Sequence, residues 1–99
     1  MKREAVVTAV CEIAETLGSV CNGSEWYLFG SVARCSPSPS DIDLMILCVD
    51  DHQADTLRRV IDPDALAVPI HLCFLRFDEA KEIDAVQLQG AEKIYQRSR

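Results

Sequence analysis

Apolar residues recur at three- and four-residue spacing between Lys2 and Leu17, at Val6, Val10, Ile13 and Leu17. Val7 and Ala14 flank them, and Glu4, Glu12 and Glu15 fall on the other side. That period predicts an amphipathic helix, and Gly18 is its expected stop. Ser19 to Ser24 is small and polar and reads as a turn. The period then shortens. Glu25 to Phe29 is aromatic and apolar, as a strand requires. Ile42 to Val49 is almost continuously apolar, the pattern of a strand buried on both faces. Asp50 or Asp51 is placed to cap a helix from His52 to Ile61, with Ala54, Leu57, Val60 and Ile61 inward, and Pro63 prevents its continuation. Ala67 to Phe74 reads as a third strand, with Pro69 favouring its beginning or an edge position. Asp78 is placed to cap a helix from Glu79 to Leu88, whose apolar side is Ile83, Val86 and Leu88. Beyond Gly90, Ala91 to Tyr95 reads as a short last helix that docks Ile94 and Tyr95, and Gln96 to Arg99 as a frayed end.

The order of elements predicts an α/β fold: a small mixed sheet of about three strands packed against helices. The chain has 99 residues, the size of a single domain with its own small core, so 1–99 is taken as one unit. Apolar residues make up 48% and charged residues 26%, the balance of a globular protein. No apolar run approaches the roughly 20 residues of a membrane helix. No signal peptide is recognisable, which predicts a cytoplasmic location. The five cysteines, Cys11, Cys21, Cys35, Cys48 and Cys73, are odd in number and include no Cys-x-x-Cys pair. A disulfide framework and a zinc ribbon are therefore not expected. Cys11, Cys48 and Cys73 sit in apolar runs and read as small core residues, whereas Cys21 and Cys35 lie near loops. The formal net charge of −6 disfavours direct nucleic-acid binding, because phosphate contacts need Lys and Arg.

Chemistry concentrates between Trp26 and Cys48. An apolar run ends in Gly30-Ser31, a Pro/Ser loop follows, and Asp41-Ile42-Asp43 opens the next apolar run. In a strand, residues i and i+2 share a face, which sets Asp41 and Asp43 roughly 7 Å apart at their Cα atoms. Two unit charges about 6 Å apart repel by roughly 2–3 kcal/mol at an effective dielectric near 20. A divalent cation held between them converts that repulsion into affinity, and hard oxygen donors suit Mg²⁺. Taken alone, Asp-x-Asp is weak evidence and reads more readily as the solvated start of a strand. Gly30 lets a backbone approach a ligand closely. Ser31 is placed to cap a short helix over Val32 to Arg34, whose free N–H groups favour an anion. Arg34 adds positive charge. Together these are the two halves of a nucleoside triphosphate site.

The combination Gly30-Ser31-Val32-Ala33-Arg34, a short loop, then Ser40-Asp41-Ile42-Asp43-Leu44 resembles the signature of the polymerase-beta-like nucleotidyltransferases, and most closely their minimal nucleotidyltransferase domains. Two details depart from the pattern: Cys35 stands where the family carries Gly, and the loop to the aspartates is slightly short. The resemblance implies a polymerase-beta-like core. It implies transfer of a nucleoside monophosphate from a nucleoside triphosphate to an acceptor with Mg²⁺ or Mn²⁺. Asp41 and Asp43 would be the metal ligands, and Gly30, Ser31 and Arg34 would hold the triphosphate. It also implies an alternative, an antitoxin-type interaction domain of weak or lost activity that pairs with a helical HEPN-type protein. A homo-oligomer is compatible with either.

The family's third carboxylate lies on the next strand. Here Pro69-Ile70-His71-Leu72-Cys73-Phe74 offers His71 at that place. Strand register aims it at the aspartates, which makes His71 a catalytic candidate beside Asp41 and Asp43. The competing reading is a histidine satisfied inside the core. An imidazole suits borderline ions better than Mg²⁺, so Mn²⁺ is expected to be preferred.

Overall fold

The computed structural model describes residues 2–30 and 41–99. Helix α1 covers Arg3–Leu17 and buries Val6, Val10 and Ala14 fully, while Ile13 and Leu17 of the expected stripe are partly buried against the same core. Its last turn tightens into a 3₁₀ turn over Gly18–Cys21. Strand β1 follows at Glu25–Phe29 and strand β2 at Ile42–Cys48. Helix α2 spans Asp51–Val60. Its cap is Asp50, whose carboxylate accepts the Gln53 N–H at 2.8 Å. Strand β3 runs Ile70–Arg76. The short helices α3 (Phe77–Glu82) and α4 (Ala85–Leu88) precede strand β4 (Glu92–Gln96).

The sheet has four strands in the order β3-β2-β1-β4. β2 pairs with β3 in parallel and with β1 antiparallel, and β4 pairs antiparallel with the outer edge of β1. The fold is therefore mixed α/β, as the sequence predicts, with one strand more than about three. β2 is central, and all but one of its residues are buried. On one face α1 and α2 cover Trp26, Leu28, Ile42, Leu44, Ile46 and Cys48. On the other, α3 and α4 cover Tyr27, Met45 and Leu47 with Ala80 and Ala85.

Several expectations are corrected. The segment from Ala91 to Tyr95 is not a helix, because β1 presents an edge of unpaired backbone groups that β4 fills. Ile94 and Tyr95 still dock on the body, with the Tyr95 ring edge-on to Trp26 at 5.8 Å. The end of the chain is tied down rather than frayed: Gly23 donates its N–H to the Arg97 carbonyl at 2.7 Å, and Arg97 donates to the Asn22 side chain at 2.8 Å. The third strand begins after Pro69 rather than at Ala67, since proline has no N–H for the ladder. The Glu79 to Leu88 helix is two short helices broken at Asp84, which adopts φ +54°. The break turns Ile83 and Leu88 outward, 55% and 75% exposed, and Ala80 and Ala85 take the inward positions. Asp78 does not cap α3. It pairs with Arg76, while Glu79 accepts the Arg76 backbone N–H at 3.0 Å. In α2 the inward residue is Gln53, not Val60, which is 47% exposed. Gln53 donates to the Val20 and Asn22 carbonyls and accepts the Val49 N–H, so each polar group it buries has a partner.

Among the described residues, no helix is long and apolar enough to cross a membrane. The described thiols of Cys11, Cys21, Cys48 and Cys73 are free. Cys21 is the buried last residue of the 3₁₀ turn, and its thiol donates to the Ala14 carbonyl.

Candidate metal centre

Three strands bring the candidate residues to one end of the sheet. β1 runs antiparallel to β2, so the C-terminal end of β1 lies beside the start of β2. β3 runs parallel to β2, so both strands begin at that same end. The register pairs Phe29 with Asp43 and Asp43 with His71, one row across three strands. Side chains of paired residues share a face, and Asp41 joins that face by the two-residue period. The row is fixed from below by backbone, because the Ile42 N–H donates to the Pro69 carbonyl at 2.8 Å.

The result is a compact donor set. His71 Nδ1 stands 3.7 Å from Asp41 Oδ2 and 3.7 Å from Asp43 Oδ1. One ligand atom from each of the three residues falls within 4.8 Å of the others, and among the described residues no other group of this kind forms. His71 points toward the aspartates, as its register predicts. It is not a core histidine, because 62% of its side chain is accessible. Asp41 and Asp43 are half-buried. The row lies on the face that α3 and α4 cover, but those helices pack over Met45, Leu47 and Leu75 farther along and leave the row accessible.

Two carboxylate oxygens and one imidazole nitrogen, all accessible, fit a divalent cation. The spread of 4.8 Å closes on one ion by side-chain rotation, since such ions take donors at about 2.0–2.2 Å. The imidazole shifts the preference from Mg²⁺ toward Mn²⁺ or a borderline ion.

Gly30 follows β1 directly and adopts φ +72°, a conformation that glycine enters without a steric penalty. It lies against Asp43, so closely that a Cβ built there would overlap the carboxylate. This contact is not visible in the sequence, where thirteen positions separate the two residues; only the strand register reveals it. Ser31 and Arg34, the other triphosphate-holding candidates, lie outside the described residues, as does Cys35. No family model matches the chain, and no curated protein or solved structure matches it.

Proposed function

We propose that the chain is a metal-dependent nucleotidyltransferase domain of the polymerase-beta-like kind, moving a nucleoside monophosphate from a nucleoside triphosphate to an acceptor hydroxyl. The observation that carries this reading is the row of Asp41, Asp43 and His71 at the open end of the sheet, with Gly30 pressed against it. The acceptor oxygen would bond to the α-phosphorus, and the bond to the β-phosphate bridge would break to release pyrophosphate. A divalent ion, when bound, supplies charge neutralisation and alignment of the phosphates. Asp41 and Asp43 hold it through carboxylate oxygens, with His71 Nδ1 as the third donor. Ser31 and Arg34 are the proposed contacts to the β- and γ-phosphates. No covalent intermediate on the protein is needed, because positioning and charge stabilisation suffice for phosphoryl chemistry.

A second reading is favoured by two observations. The third donor is an imidazole rather than a carboxylate, and Ile83, directly after α3, and Leu88, the last residue of α4, stand exposed. Both suit an interaction domain of weak activity that docks on a partner such as a helical HEPN-type protein. Incubation of native-host extract with α-labelled triphosphates and Mn²⁺ or Mg²⁺ separates the readings. Label that passes to an acceptor with the wild type and not with Asp43→Asn supports the enzyme. Absence of any metal-dependent triphosphate binding rejects it in favour of the interaction domain.

A further inference from the structure

We infer that Gly30 is a positioning residue for the metal site, holding the Asp43 carboxylate in its ligating orientation by having no side chain. The inference rests on the metal-site reading above and assigns Gly30 a role beyond leaving room for phosphate. Gly30 leaves the sheet directly after Phe29, the residue paired with Asp43. The Asp43 carboxylate occupies the space that a side chain at this position would fill. A Cβ there would stand 3.1 Å from Asp43 Cγ and 3.4 Å from Asp43 Cβ, and would overlap Oδ2 outright. The Asp43 Cβ is fixed to the central strand and cannot retreat. The carboxyl group can, by rotation about χ1 and χ2. The rotation takes the side chain out of its native rotamer, at a cost in stability, and swings Oδ1 away from its place 3.7 Å from His71 Nδ1. The metal donor set would then lose a member while the fold persists. A phosphate-clearance role alone would leave metal binding untouched when no nucleotide is present.

The test is Mn²⁺ binding to the full chain without nucleotide, followed by the electron paramagnetic resonance signal of free Mn²⁺. Wild type, Asp43→Asn and Gly30→Ala are compared. Binding by the wild type with at least tenfold weaker binding by both variants is the expected result. Wild-type affinity in Gly30→Ala, with Asp43→Asn weakened, overturns the positioning role and leaves the metal site standing. A wild type that binds no Mn²⁺ overturns the metal site and this inference with it. Since an L-residue at φ +72° is strained in any case, thermal unfolding of Gly30→Ala is also measured in wild-type and Asp43→Ala backgrounds. A smaller loss of Tm in the Asp43→Ala background is expected, because the overlap partner is gone. Equal losses in both backgrounds overturn the inference even if Gly30→Ala binds no metal.

Discussion

His71 sets the chemistry of the site at the level of single residues. Its Nδ1 is equally close to both aspartates, 3.7 Å from each, so exchanging it alters two of the three pairs in the cluster. His71→Asp supplies a third hard oxygen donor and is expected to strengthen Mg²⁺ binding. It also places three like charges together, so the metal-free variant is expected to melt below wild type at low ionic strength and to recover when Mg²⁺ is added. Thermal shift with and without Mg²⁺ checks both halves. Unchanged Mg²⁺ affinity would remove His71 from the donor set. Asp43→Asn acts in the opposite sense. It deletes a ligand and a repulsion together, so metal-dependent triphosphate binding is expected to vanish while stability holds or rises by up to about 1 kcal/mol.

At the level of elements, the end of the chain and the first turn of α2 carry more of the stability than their sequences suggest. Gln53 is buried and joins α2 to the 3₁₀ turn and to the exit of β2 through three hydrogen bonds. Gln53→Leu keeps the volume but leaves the Val49 N–H and two carbonyls without partners. A loss of about 2–4 kcal/mol is expected in urea unfolding, and a loss below about 0.5 kcal/mol would show that water takes over these bonds. Strand β4 is held by β1 pairing, the Trp26–Tyr95 ring contact and the Tyr95 hydroxyl, which donates to Glu15 at 3.0 Å. None of this is local. Glu92 to Gln96 is a five-residue segment of residues that also favour helices, with no alternation, and only the free edge of β1 decides in favour of a strand. β1 and β2 were legible because aromatic and continuous apolar runs have few alternatives. The break at Asp84 was not, since positive φ at a non-glycine residue leaves no pattern. The row of Asp43 and His71 was legible from the two-residue period and the aim of one polar residue in an apolar strand. The Gly30–Asp43 contact was not, because it depends on a cross-strand register that no local pattern records.

At the scale of the whole molecule, the described residues form a core on each face of one small sheet and leave His71 accessible at one end of it. Burial in the larger core has a measurable consequence. Loss of solvent pushes the Cys21 thiol up to about 11 and the Cys48 thiol up to about 12, from an ordinary 9.0. The unfolded chain therefore loses these protons first as pH rises. Their stabilising contribution is whole below about pH 9 and declines as pH climbs through the folded values. The urea midpoint is expected to fall between pH 8 and pH 10.5, and Cys48→Ala is expected to flatten that fall. The central claim concerns the open end of the sheet, and calorimetric titration of each ribonucleoside triphosphate with Mn²⁺ into wild type and Asp43→Asn addresses it most directly. Saturable, Mn²⁺-dependent binding of at least one triphosphate to the wild type, abolished in a folded Asp43→Asn, is the expected result. No binding to the wild type, or equal binding to both proteins, would contradict a nucleotide site built on Asp41, Asp43 and His71.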